Sequence, residues 1–103
     1  MRIKSGVSLL GLKPEMIVVL IIVEPIIQSY GQECVITSGV EGKHSKKTSK
    51  HYVGYGLDLR SRDFYDDEQA EDCATMMREA LGDEFYVAFE KNHFHISYNG
   101  SIK

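Results

Sequence analysis

The chain has 103 residues, 43% of them apolar, and a formal net charge of −3. That is enough for one domain, 1–103, and too little for two, with an apolar share that suits a packed core and not a disordered segment. The acidic balance argues against a general nucleic-acid binder, and two isolated cysteines, Cys34 and Cys73, make no disulfide framework and suit a reducing compartment.

Met1 to Lys13 holds no apolar run followed by a small-residue cleavage site, so no signal peptide is read and synthesis is placed in the cytoplasm. Leu12-Lys13-Pro14-Glu15 is a helix start, with proline and an acid in the first turn where each is favoured. The helix is predicted from about Pro14 to Tyr30, with a kink or a split at Pro25, which lacks a backbone donor. Its apolar run from Met16 to Val23 is far shorter than the roughly 20 residues of a membrane span, so it belongs to a core. Cys34 to Thr37 is a short β-rich run between glycines and predicts a strand.

Gly42 to Lys50 is polar and reads as a loop; its lysines and His44 are most simply a solvated face. Tyr55 to Leu59 predicts a second strand, with Leu57 and Leu59 on one side and Asp58 on the other. Asp66 to Gly82 predicts an amphipathic helix, with Ala70, Cys73, Ala74, Met77, Ala80 and Leu81 on its apolar stripe and Gly82 as its stop. The acids from Asp63 to Asp72 do not match a calcium loop and fit a helix N-terminus. Glu84 to Glu90 and His93 to Tyr98 are predicted strands joined by Lys91-Asn92, a two-residue hairpin with Asn92 at positive φ. Glu90 and His93 then oppose each other, and a period of two adds His95 to the same side. The expected fold class is α+β, a small antiparallel sheet with helices packed on one face.

Two stretches carry chemistry. Ser49-Lys50-His51-Tyr52-Val53-Gly54-Tyr55-Gly56-Leu57-Asp58 sets an imidazole and a carboxylate at a short spacing, with Gly54 and Gly56 allowing close backbone approach. Glu90-Lys91-Asn92-His93-Phe94-His95 adds a carboxylate followed by His-x-His. Catalytic zinc takes three protein ligands and leaves one position for water, and a nearby carboxylate serves as general base. The residues present therefore suit a single-zinc hydrolase. Cys34 has no local signature of a nucleophile.

Ser49 to Leu59 resembles the S-x-H-x-x-G-x-x-x-D signature of the zinc D-alanyl-D-alanine carboxypeptidase family, whose fold is shared by hedgehog signalling domains and phage L-alanyl-D-glutamate endopeptidases. Glu90-x-x-His93-x-His95 resembles the family's closing carboxylate and histidine strand, and Ile36-Thr37-Ser38-Gly39 its preceding strand and turn. The resemblance covers roughly Thr37 to Tyr98, with the motifs in the family's order. It implies a hedgehog/DD-peptidase-like fold, one zinc per chain on His51, Asp58 and His95, Glu90 as general base, and His93 supporting the reacting carbonyl. The E-x-x-H spacing leaves His93 open as the third ligand instead. The implied substrates are peptidoglycan stem peptides, cut at D-Ala-D-Ala or at L-Ala-D-Glu, with no nucleic-acid or membrane partner. Ser49 and Tyr52 are candidate substrate-binding residues, and Tyr52 and Tyr55 either line a substrate groove or pack at the sheet edge beside Gly54. The arginine that many active members carry after the Thr-Ser-Gly turn is replaced by Val40-Glu41-Gly42-Lys43-His44, so Lys43 or His44 would take its role. A phage or prophage lysis enzyme released to the cell wall fits the lack of a signal peptide. A zinc-binding module without catalysis, or a phage structural protein, are the alternatives on the same fold.

Overall fold

A computed structural model describes residues 1–41 and 54–100 of the chain. Lys43, His44, Ser49, His51 and Tyr52 lie outside the described residues, as does the loop read from Gly42 to Lys50. The elements in chain order are β1 (Arg2–Ile3), α1 (Pro14–Ser29), β2 (Val35–Ser38), β3 (Gly56–Arg60), α2 (Asp67–Leu81), β4 (Phe85–Glu90) and β5 (His93–Tyr98). The strands form one sheet in the order β1-β2-β3-β5-β4. The class is α+β.

The sheet is mixed, which corrects the expected antiparallel one. β1 runs parallel to β2, with Arg2 opposite Val35 and Ile3 opposite Ile36. The Arg2 amide donates to the Cys34 carbonyl and the Lys4 amide to that of Ile36, each at 2.9 Å. Two residues are too few to show a period of two, so β1 left no pattern in the sequence. The parallel pair needs a crossover, and α1 supplies it.

Pro14 opens α1 at a position that needs no amide donor, and Glu15 lies in the first turn. The helix runs on through Pro25 to Ser29, so of the kink or split expected there the split does not occur. Pro25 and Ile21 are both exposed, which puts the missing hydrogen bond on the solvent side of the helix, where a helix tolerates it best. Met16, Val19, Leu20, Val23 and Ile27 form its buried stripe. Its outer side is also apolar, with Ile17 50% and Ile21 69% exposed.

α2 starts at Asp66, whose Oδ1 accepts from the Gln69 amide at 2.8 Å, and stops at Gly82 with φ of 85°. Ala70, Cys73, Ala74 and Met77 are buried as expected, but Ala80 is exposed and Leu81 half-buried. Arg78, in the last turn, donates from Nε to the Val87 carbonyl at 2.9 Å and ties α2 to β4.

Both helices pack on the sheet face formed by Ile36, Leu57, Leu59, Val87, Phe94 and Ile96, the expected one-sided arrangement. Phe94 is fully buried, with Phe64 edge-on at 5.4 Å and Phe89 at 5.8 Å. The other face keeps the complementary set, because successive side chains on a strand point to opposite sides. It carries Asp58 and Arg60 from β3, His93, His95 and Ser97 from β5, and Tyr86, Ala88 and Glu90 from β4. Among the described residues no helix is long and apolar enough to cross a membrane.

Candidate functional site

Asp58 and His95 sit directly opposite each other on β3 and β5, and Glu90 and His93 directly opposite on β4 and β5. Arg60 completes the second row, opposite His93 on its other side. The Glu90–His93 pairing follows the sequence reading, but the positive φ of the connecting turn falls on Lys91, at 50°, and not on Asn92. Asn92 is used otherwise. Its carbonyl accepts from the Ser61 amide at 3.2 Å, and its side-chain oxygen lies 3.1 Å from Nδ1 of His93.

The side chains in these rows touch. His95 Nδ1 lies 3.0 Å from Asp58 Oδ1, a direct hydrogen bond. His93 Nε2 lies 3.9 Å from Asp58 Oδ2 and 3.9 Å from Glu90 Oε1, so it stands between the two carboxylates. The Tyr86 ring flanks His95, with centroids 6.1 Å apart. Glu90 is the most exposed of the four, at 55%. The structure thus brings Asp58, Glu90, His93 and His95 together on the open face of the sheet. Among the described residues no three His, Cys, Asp or Glu side chains are grouped so as to hold a metal ion. Asp58 and His93 or His95 provide two donors of the right chemistry, and the third expected one, His51, lies outside the described residues.

A depression of about 250 Å³ opens beside Asp58 and His93. Lys4, Thr37, Ser38, Arg60, Arg62 and Asn92 complete its lining. Thr37 and Ser38 both reach it because β2 is irregular there: Ile36 pairs with Leu59 but Ser38 with Asp58, so three residues face two. Arg60 was legible as a neighbour of Asp58, two positions on along the same strand face. Lys4 and Asn92 carry no such signal, since they arrive from the edge of the sheet and from a turn.

Glu41 is a further residue that motif reading passed over. Its Oε1 accepts from the Gly39 amide at 2.7 Å and the Ser8 amide at 3.1 Å, and its Oε2 from the Ser38 hydroxyl at 3.0 Å. Burial works against its charge, but hydrogen bonds from its own amide, Ser8, Gly39 and Ser38 outweigh that and hold its carboxyl below the usual range. The Val40 amide donates to the Ser8 carbonyl at 2.7 Å, and a Cβ on Gly39 would meet that oxygen at 2.5 Å. At the other side of residues 42–53, the Gly54 carbonyl accepts from the Lys13 amide at 3.1 Å. Gly54 has φ of +86°, and a Cβ there would come within 2.3 Å of the Gly11 carbonyl oxygen. Both ends of the stretch that carries His51 are therefore pinned to the segment from Ser8 to Lys13. Gly56, in contrast, is an ordinary strand residue of β3.

Tyr55 stacks on Tyr98 with centroids 5.6 Å apart, under the Lys13 ammonium, which is a packing role. Both cysteines are buried free thiols. Burial pushes the Cys34 thiol up to about 11 and that of Cys73 to about 12, so neither is a nucleophile at neutral pH. Compared with known proteins, the chain matches no family model, no curated protein and no solved structure.

Proposed function

We propose that the protein is a zinc-dependent peptidase that cuts peptidoglycan stem peptides at the open face of the sheet. The observation that carries this reading is the clustering of Asp58, Glu90, His93 and His95 in two adjacent rows of that face. Zinc would be held by His51, Asp58 and one histidine of β5, and when bound it would acidify a water and polarise the scissile carbonyl. Glu90 would serve as general base, accepting a proton from the attacking water as its oxygen bonds to the carbonyl carbon, and would return that proton to the departing amine as the carbon–nitrogen bond breaks.

The distances favour His93 over His95 as the third ligand. Donors around one tetrahedral zinc lie about 3.3–3.6 Å apart, given bonds of roughly 2.0–2.2 Å. His93 Nε2 and Asp58 Oδ2, at 3.9 Å, are slightly wider than that and close to it with a small rotation. His95 instead engages the other oxygen of Asp58 through Nδ1 at 3.0 Å, the way an outer residue orients a metal-binding carboxylate. His93 also faces Glu90 at 3.9 Å, so a metal held by His93 would have the general base close by.

Metal analysis of the purified protein tests this directly. About one zinc per chain is expected, lost in His51→Ala, Asp58→Ala and His93→Ala, and weakened about 10–100-fold in His95→Ala. Glu90→Gln should keep the zinc and the fold while hydrolysis of muropeptides drops at least about a hundredfold. A protein that takes up no zinc under supplementation would end the peptidase reading. Loss of zinc in His95→Ala but not in His93→Ala would return the ligand role to His95.

A further inference from the structure

We infer that the depression beside Asp58 and His93 is a carboxylate-binding subsite built by Arg60, Arg62 and Lys4. From this it follows that the substrate carries a free carboxylate within one or two residues of the bond that is cut. The first statement stands on geometry and charge alone; the second rests on the peptidase reading above.

The charge pattern is the first observation. The chain as a whole is acidic, at −3, yet this concavity is lined by three cationic side chains against one carboxylate, Asp58. A cleft lined by one sign of charge focuses its field and draws in ions of the opposite sign. A zinc ion on Asp58 would add further positive charge, so the site as proposed calls for an anion from the ligand.

The cations are also largely uncommitted. Arg60 and Arg62 share one carboxylate, Asp63, each at 3.9 Å, the outer limit of an ion pair. A guanidinium has five N–H donors in a planar fork, so most of their capacity is left for a ligand. Lys4 makes no ion pair among the described residues. Two arginines with spare forks match the paired oxygens of a carboxylate, and such bidentate contacts are among the stronger hydrogen bonds. Thr37, Ser38 and Asn92 add neutral polar groups that fix orientation.

Size narrows the ligand. About 250 Å³ lies just under the range of sites that enclose drug-sized molecules, roughly 300–1,000 Å³. It suits one or two amino-acid residues and not a polymer, and the net negative charge of the chain opposes a polyanion. Both stem-peptide bonds under consideration satisfy the inference. A terminal D-Ala keeps its own carboxylate, and a γ-linked D-Glu keeps its α-carboxylate, on the residue that supplies the leaving amine. Amidation of that carboxylate would remove the recognised group without touching the scissile bond.

The test compares two pairs of probes by calorimetry. One is the tripeptide L-Ala-γ-D-Glu-L-Lys and the same peptide with its α-carboxylate amidated; the other is D-Ala-D-Ala and its C-terminal amide. At least one acid form should bind about tenfold or more tightly than its amide. Arg60→Gln and Arg62→Gln should each weaken that acid about tenfold and leave the amide unchanged. Arg62 is 64% exposed, so its replacement does not threaten folding, and Arg60→Lys should restore part of the loss. Equal binding of acid and amide in both pairs overturns the subsite. So does inorganic phosphate binding more tightly than either acid, or an oligonucleotide displacing it, since each assigns the cations to another ligand. Zinc content measured on the same samples separates the two claims. Acid preference without zinc removes the peptidase reading and keeps the subsite, and zinc without acid preference does the reverse.

Discussion

Ser61 sits between the two arginines and shows how tightly the end of β3 is built. Its amide donates to Asn92 and its carbonyl accepts from Phe64, yet its hydroxyl is buried with no hydrogen-bond partner among the described residues. A buried polar group left unpaired costs about 1–3 kcal/mol. Ser61→Ala should therefore raise stability, by up to about 1 kcal/mol once lost packing is allowed for. The check is a higher urea midpoint with an unchanged denaturant slope. A lower midpoint would mean that the hydroxyl has a partner in solution. Asp58 presents the opposite case, since its carboxylate is gripped by His95 and faced by His93, and so has a defined orientation before any ligand arrives.

Among elements, β5 does most to place the site, and it was also the most legible. His93-Phe94-His95-Ile96 alternates polar and apolar, and that alternation alone sends both histidines to one side and Phe94 and Ile96 to the core. The same argument placed Asp58 against Leu57 and Leu59. What it could not supply was which strand lies beside which, and the Asp58–His95 pairing exists only because β3 lies beside β5. Glu41 was illegible for a different reason, because its partners are mainly backbone amides, which look alike in any sequence. The segment from Ser8 to Lys13, which anchors both Val40 and Gly54, had no periodicity to read. Its importance can be measured. Gly54→Ala combines a positive φ with a Cβ clash against the Gly11 carbonyl, and should cost about 1–3 kcal/mol and weaken zinc uptake through His51. Gly6→Ala is the control, with φ of +89° but open space around its Cβ. It should cost about 1–2 kcal/mol and leave zinc uptake alone. Equal effects of the two on zinc uptake would show that the Gly54 anchor does not position the ligand.

At the scale of the whole molecule, stability should decline in alkali through the core thiols. The folded values of Cys34 and Cys73 are raised by burial from 9.0 to about 11 and about 12. Their contribution is thus fully present below pH 9.0 and is lost as the pH climbs toward those values, since only the unfolded chain then releases the protons. Each thiol adds at most about 1.4 kcal/mol per pH unit to that decline. Melting temperatures between pH 8 and 10.5 should therefore fall less steeply for Cys34→Ala or Cys73→Ala than for the parent chain, and parallel slopes would contradict this. One consequence of the Asp58–His95 pairing reaches further. Side chains alternate across a sheet, so sliding β3 by one residue along β5 would drive Asp58 and Arg60 into the apolar layer and expel Leu57 and Leu59 into water. The polar residues need supply none of the free energy that holds them in line. The leucines enforce the alignment, and the register of the open face does not depend on which polar residues it carries.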